Sequence, residues 1–87
     1  MTTEQQMIQK AAEGDDRAAT LLFRVYQDQV YGYLLRMLKK PDMAADAAQE
    51  TFIRAYKALP RYKEQGRFSA WLFHIAHREG LRMIGKY

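Results

Sequence analysis

The sequence predicts an all-α fold, a compact bundle of about four helices that spans residues 1–87 as one domain. Apolar residues recur at helical spacing along most of the chain, and no run alternates apolar and polar residues cleanly. The 5 glycines and 2 prolines stand between the periodic stretches. A hydrophobic content of 48% is ordinary for a folded domain and too high for a disordered chain.

The first predicted helix is short and is defined by its two ends. Thr3 can cap it, because Gln6 follows at the spacing of a capping box. The helix is expected to run to about Glu13, where Gly14 stops it. Its apolar stripe is narrow and consists of Met7, Ile8, Ala11 and Ala12.

The second predicted helix is the longest and forms the centre of the domain. It starts at Asp15 or Asp16 and runs to about Lys39, after which Pro41 is expected to end it. The residues expected to face inward follow helical spacing and are Ala18, Leu22, Val25, Tyr26, Val30, Tyr33, Leu34 and Met37.

The third helix is predicted from about Asp42 to Leu59, and Pro60 ends it. Its alanines allow close approach to a neighbouring helix. The expected inward face comprises Ala44, Ala45, Ala48, Phe52, Ala55 and Leu59.

A basic loop over residues 60–67 precedes the fourth predicted helix, which starts at Phe68 or Ser69 and ends near Ile84. The loop is longer than most helix connections, and long loops are often functional. The fourth helix can pack inward through Trp71, Leu72, Ile75, Ala76 and Met83.

Charge is distributed unevenly along the chain. The formal net charge is +4, yet residues 1–59 contain 8 basic and 8 acidic side chains. The whole excess lies in residues 60–87, with 6 basic and 2 acidic side chains and both histidines. This asymmetry indicates an anionic partner at one end of the domain.

Basic and aromatic residues interleave in this last third, as single-stranded nucleic acid binding requires. Cations neutralise phosphates, and flat rings give unpaired bases a stacking surface. The competing interpretation is a solvated helix with core aromatics, which fits Trp71 when that residue is taken alone. The candidate nucleic-acid-binding residues are Arg61, Tyr62, Lys63, Arg67, Phe68, Trp71, His74, His77, Arg78 and Arg82.

The third helix carries a second polar set on the face opposite Phe52. Its only apolar member, Ile53, would be exposed among charged residues, which is a pattern found in docking patches. On pattern alone, an ordinary polar face with one stray isoleucine is the simpler interpretation. The set consists of Asp46, Gln49, Glu50, Ile53 and Arg54.

Several function classes lack support in the sequence. There is no cysteine, no glycine-rich phosphate loop and no carboxylate pair in a predictable cleft, so neither an enzyme nor a bound cofactor is expected. His74 and His77 lack a third ligand, so no metal site is expected. No signal peptide or membrane span is visible, and the chain is interpreted as cytoplasmic.

Two segments resemble bacterial RNA polymerase sigma factors of the extracytoplasmic-function group, in the domain called region two. The first is D-x-x-Q-E-x-F-x-[KR]-x-[YW] over residues 46–56, and the second is F-x-x-W-L-x-x-I-A over residues 68–76. The spacing between the segments also resembles the family, and the similarity covers essentially the whole chain. The resemblance departs at Arg78 and Arg82, where the family usually has Asn and Asp.

The resemblance implies a transcription initiation factor domain that is not an enzyme. The third-helix set would bind the clamp coiled coil of core RNA polymerase. The loop and fourth helix would recognise and melt the −10 promoter element through the non-template strand, with a flipped base held near residues 61–68. An anti-sigma protein is a further expected partner. The helix-turn-helix domain expected in the family is absent from these 87 residues.

Two alternatives to this interpretation stay open on the sequence. One is a helical protein-interaction module, in which the basic end only confers solubility. The other is a small phosphodiester-processing enzyme, which would need a metal near His74 and His77.

Overall fold

The regular structure is helical throughout the part of the chain that the computed structural model describes, residues 3–63 and 66–86. This confirms the predicted all-α class. Within these residues no helix is both long and apolar enough to cross a membrane. Glu64 and Gln65 of the predicted basic loop lie outside the described residues. The elements are α1 (Glu4–Ala12), α2 (Asp16–Leu38), α3 (Pro41–Ala58), a 3₁₀ helix (Leu59–Arg61) and α4 (Phe68–Lys86).

The start of α1 is fixed by the predicted capping box. The Gln6 backbone N–H donates to Thr3 Oγ1 at 3.2 Å, and the Thr3 N–H donates to Gln6 Oε1 at 3.0 Å. Beyond the helix, Gly14 adopts a φ of +106°, which favours glycine because it has no Cβ. The chain therefore turns there, and the Asp15 carboxylate caps α2 by accepting from the Arg17 and Ala18 amides.

Helix α2 is the central element, because it packs against α1, α3 and α4. Its core stripe follows i+4 spacing and includes Leu22, Val30 and Leu34, all fully buried. The prediction for Val25 is wrong: its side chain is 53% exposed. The prediction for the adjacent Tyr26 is confirmed, because its side chain is buried. One residue along a helix turns the side chain by about 100°, so the two cannot share one face.

The connection between α2 and α3 differs from the prediction at Pro41. Helix α2 ends at Leu38, as predicted to within one residue, and Lys39 adopts a left-handed conformation with φ 67°. Pro41, predicted only to end α2, is the first residue of α3, whose start was expected at about Asp42. Proline suits this position because its fixed φ is helical and the first turn needs no N–H donor.

The buried face of α3 confirms Ala44, Ala48 and Ala55 but not Ala45, which is exposed. The face of α3 that is buried includes Ala47 and Thr51 together with Ala44, and Ala45 lies outside this face. The Thr51 hydroxyl donates to the Ala47 carbonyl at 2.7 Å, so its burial leaves no unpaired donor.

The helical turn after α3 and the packing of α4 set the geometry of the last third. The chain continues from Ala58 into a 3₁₀ helix that contains Pro60, where an irregular loop was expected. Helix α4 is anchored by Leu72 and Ala76, which are fully buried. At Gly80 a Cβ would lie 2.5 Å from Met37 Sδ and 3.1 Å from Leu34 Cδ2, so two side chains of α2 pack directly against α4 at this glycine.

Candidate functional site

An aromatic cluster forms where the 3₁₀ helix meets the start of α4; we call it the aromatic junction. Its four members are Tyr26, Tyr62, Phe68 and Trp71. The Tyr62 ring lies edge-on to the rings of Phe68 and Trp71, with centroid distances of 5.5 Å and 5.0 Å. The centroids of Phe68 and Tyr26 are 5.7 Å apart. Phe68 is 5% exposed and supports the cluster from inside, whereas Tyr62 and Trp71 are half-buried and reach the surface.

A cavity of about 320 Å³ opens beside the aromatic junction. Helix α1 closes one side of it, and Glu4 of α1 accepts a hydrogen bond from the Tyr26 hydroxyl. Burial, and then this hydrogen bond, raise the pKa of Tyr26 to about 12. The phenol is therefore neutral at physiological pH. The other lining residues are Gln5, Ile8, Tyr62, Gly66, Arg67, Phe68 and Ser69.

Exposed cations lie close to the aromatic junction along the chain. Arg67 lines the cavity, Arg61 and Lys63 flank Tyr62 in the sequence, and Arg78 follows on α4. Within residues 3–63 and 66–86, none of these four makes an ion pair with a carboxylate. Exposed cations attract an anionic polymer, and the adjacent rings can stack on unpaired bases.

The two predicted histidines lie on the exposed side of α4, and one of them has a partner that the sequence did not indicate. His77 Nδ1 lies 2.7 Å from the Tyr33 hydroxyl oxygen. The Tyr33 ring packs edge-on against Phe73, with ring centroids 5.5 Å apart. Tyr33 was expected to face the core and is half-buried. Among the described residues, no group of three His, Cys, Asp or Glu side chains is arranged to hold a metal ion.

The second predicted set comes together in one groove, which we call the α3–α4 cleft. It has a volume of about 490 Å³ and is bordered by both helices. Ile53 is 39% exposed, as predicted, and lies between charged residues. The structure thus brings together all five predicted third-helix residues. The cleft is lined by Asp46, Ala47, Gln49, Glu50, Ile53, Arg54, Glu79, Arg82 and Met83.

Glu79 is the residue of this cleft that sequence reasoning missed. Its side chain is 5% exposed, and Oε2 lies 3.0 Å from Arg54 Nε and 3.5 Å from Arg82 Nε. Arg54 also lies 3.4 Å from Glu50, one turn before it. The helical stripe of Leu72 and Ala76 continues at Glu79, and that spacing could have predicted its burial.

Arg82 therefore lies with the third-helix set and not with the cations around the aromatic junction. Its guanidinium pairs with Glu79 inside the α3–α4 cleft. Arg78, one turn earlier on the same helix, is exposed without such a pair among the described residues. Two arginines that the sequence treated alike thus have different surroundings.

A shallow apolar depression adjoins the cleft on α3. Phe52 packs against Phe23 of α2 with ring centres 5.2 Å apart. Tyr56 is 49% exposed, and its hydroxyl donates to Asp16 Oδ1 at 2.5 Å, a hydrogen bond that raises the pKa of Tyr56. Ile53 borders both the depression and the cleft. This continuity gives the face of α3 an apolar part and a charged part.

Comparison with known proteins agrees with this arrangement. The Sigma-70 region 2 family matches residues 22–87, so the chain belongs to this family. It is 38% identical over 73 residues to RNA polymerase sigma-H factor from Pseudomonas aeruginosa, and 38% identical over 69 residues to ECF RNA polymerase sigma factor SigW from Bacillus subtilis. These matches cover 84% and 79% of this chain, but only 38% and 37% of the relatives.

A solved structure resembles the fold over nearly the whole chain. It is the NMR structure of an engineered region 2 of sigmaE in complex with GTAAAA, with a TM-score of 0.88 and 32% sequence identity. The match covers 97% of this chain and 87% of that one. Helix α1 precedes the part that the family matches, yet it forms one wall of the cavity beside the aromatic junction.

Proposed function

We propose that this domain binds core RNA polymerase and recognises and melts the −10 promoter element through the non-template strand. The observation that carries the proposal is the similarity to a sigmaE region 2 in complex with GTAAAA. The chain spans well under half the length of the curated relatives that it matches, so the proposal concerns this domain's share of initiation.

The aromatic junction supports binding of a single strand. Strand melting is favoured when a protein holds the unpaired strand more tightly than the duplex. Tyr62 and Trp71 offer rings near the surface, the adjacent cavity can take an unstacked base, and Arg67 lines it as a cation. Each stacked base contributes about 1–3 kcal/mol, whereas phosphate contacts contribute without regard to sequence.

A charge-removal experiment tests the DNA part of the proposal. The triple variant Arg61→Ala, Lys63→Ala, Arg67→Ala is titrated by fluorescence anisotropy against a single-stranded oligonucleotide containing GTAAAA. If each cation meets one phosphate, the slope of log K against log salt concentration falls in magnitude by about 2. The wild-type domain alone is expected to bind weakly, because few phosphate contacts are available.

A matched control removes three exposed cations elsewhere, in the variant Lys10→Ala, Arg17→Ala, Arg24→Ala. It changes net charge equally and should keep the wild-type salt slope. Equal effects of both triple variants would contradict a local binding track and indicate only long-range attraction.

The α3–α4 cleft and the apolar depression support binding of core RNA polymerase. An exposed isoleucine gives a partner helix an apolar contact, and the charged side chains beside it can fix the orientation of that helix. We expect Glu50→Arg to abolish capture of core polymerase in a pull-down assay, since it places a cation beside Arg54, 3.4 Å from the present carboxylate. Glu13→Arg on the exposed end of α1 is the control. Unchanged capture by Glu50→Arg would contradict this face.

An anti-sigma protein that covers Ile53 and α4 is part of the same proposal, because these surfaces would then be unavailable to polymerase and DNA. Ile53→Asp should weaken binding of both polymerase and the anti-sigma protein. Val25→Asp introduces the same charge at a 53% exposed apolar residue of α2 and serves as control. Retention of both partners by Ile53→Asp would exclude Ile53 from the docking face.

The helical protein-interaction module is the second candidate function, and the apolar depression around Phe52 and Tyr56 favours it. This function needs no nucleic acid. It would be preferred if the wild-type domain captured a protein partner through Ile53 but showed no affinity for the oligonucleotide at low salt.

A further inference from the structure

We propose that Glu79 is a positioning residue for polymerase binding, a role that rests on the function proposed for the α3–α4 cleft. Its buried carboxylate fixes the guanidinium groups of Arg54 and Arg82 at the floor of that cleft. The partner would be a helix that presents acidic or carbonyl oxygens to these guanidinium groups and an apolar side chain to Ile53.

The burial of Glu79 separates it from ordinary surface pairs. Its side chain is 5% exposed, whereas those of Arg54 and Arg82 are 43% and 53% exposed. A buried carboxylate must be paired, and two guanidinium groups from different helices supply that pairing. Arg54 belongs to α3, and Arg82 belongs to α4. The carboxylate therefore ties the two walls of the cleft together.

The arginines keep donors for a partner while they hold the carboxylate. A guanidinium carries five N–H groups in a planar fork, and one carboxylate oxygen cannot use those of two arginines. The short contacts to Glu79 run through Nε of both residues. Both arginines line the cleft together with Ile53 and Met83. A fixed guanidinium loses less side-chain freedom on binding than one that moves in solvent.

The charge balance of the cleft depends on Glu79. Asp46, Glu50 and Glu79 contribute three negative charges, and Arg54 and Arg82 contribute two positive charges. Without the Glu79 charge, the ion pair left to Arg54 among the described residues is the one with Glu50. The Glu50 carboxylate lies 3.4 Å from Arg54 Nε, and its side chain is 46% exposed. Such an exposed pair orients an arginine weakly. Arg54 would then sample other rotamers, and the cleft would lose its arrangement.

The test replaces the charge but keeps the shape, with Glu79→Gln in the 87-residue domain. Core RNA polymerase affinity is measured by surface plasmon resonance, and affinity for the GTAAAA oligonucleotide is measured in parallel. We expect polymerase affinity to fall roughly tenfold, a factor within the range of coupling between contacting residues, with oligonucleotide affinity unchanged. Glu13→Gln removes the same charge from an exposed residue and should bind polymerase as the wild type does.

A charge-swapped variant, Arg54→Glu with Glu79→Arg, separates positioning from folding. If it folds, judged by its circular dichroism and melting curve, the ion pair is restored with the wrong group facing the partner. Polymerase binding should then stay lost. If it does not fold, the Glu79→Gln comparison decides alone, because an amide of the same shape keeps the packing.

Three outcomes overturn the inference. One is wild-type polymerase affinity in Glu79→Gln, and another is an equal loss of polymerase and oligonucleotide affinity, which would mean a general loss of structure. Recovery of polymerase binding in the charge-swapped variant would also overturn it. Binding would then depend on the presence of an ion pair and not on which helix carries the arginine. A wild-type domain with no affinity for polymerase would instead remove the proposed function and this inference with it.

Discussion

The α3–α4 cleft and the aromatic junction use charge in opposite ways. In the cleft, Arg54 and Arg82 are paired with a carboxylate that is almost entirely buried. Around the junction, Arg61, Lys63 and Arg67 make no ion pair with a carboxylate in the described ranges 3–63 and 66–86. Paired charges fix geometry for a structured partner, whereas exposed cations outside such pairs suit a flexible polyanion. This difference is the reason we propose different classes of partner for the two surfaces of one small domain.

The largest expected effect is on the free energy of unfolding, and it is tested by substituting one arginine in each region. Arg54→Ala leaves the buried Glu79 carboxylate without its nearest partner, and we expect a loss of about 1–3 kcal/mol. Arg61→Ala should change the free energy of unfolding by less than about 0.5 kcal/mol, as surface substitutions do. Urea unfolding followed by circular dichroism measures both. Equal losses would show that the cleft and the junction do not differ in this respect.

A second prediction separates Arg78 from Arg82, which lie one turn apart on α4. Arg78→Ala should reduce affinity for the GTAAAA oligonucleotide and lower the magnitude of the salt slope by about 0.7, the value for one phosphate contact with a single strand. Arg82→Ala should leave both quantities unchanged, because its guanidinium lies in the α3–α4 cleft. Anisotropy titrations at several salt concentrations provide the measurement. A larger loss of affinity and of salt slope in Arg82→Ala than in Arg78→Ala would contradict the placement of Arg78 at the DNA-binding surface.

A smaller effect is expected at alkaline pH, where the two regions differ in the kind of polar group they bury. The junction contains Tyr26, a neutral phenol whose pKa is about 12 in the folded domain against an ordinary 10.0. A raised pKa means that this contribution to stability is complete below pH 10 and is lost as the pH rises towards 12. Unfolding curves between pH 9 and pH 12 would measure the loss.

Tyr26→Phe is the control for the alkaline experiment, since it removes the ionisable group but keeps the ring beside Phe68. This variant should lose less stability than the wild type over the same pH interval. If both proteins lost stability in parallel, the alkaline effect would arise from other groups, such as the exposed lysines.

The sequence predicted the helices well because their periodicity and their ends are local properties. The Thr3 capping box and the stop at Gly14 depend on residues within one turn, and both were confirmed. The predictions for Val25 and Ala45 were wrong because each residue lies next to a buried one on its helix. Whether the edge of an apolar stripe is buried depends on how the neighbouring helices pack against it. Pro41 was misread because proline can follow one helix and begin the next.

The candidate site was harder to predict, since its arrangement depends on contacts between distant residues. The five third-helix residues are close in sequence, so helical spacing alone brought them to one face. The pairing of Arg54 with Glu79 crosses between two helices and could not be predicted from spacing. The same holds for Tyr33 and His77, which are 44 residues apart.

The packing of two α2 side chains against Gly80 has a mechanical consequence. Because even a methyl group would meet Met37 and Leu34 of α2, helix α4 cannot roll about its own axis unless those side chains move. If α4 holds a single strand as we propose, a force on that helix would reach the longest helix of the bundle through these two side chains.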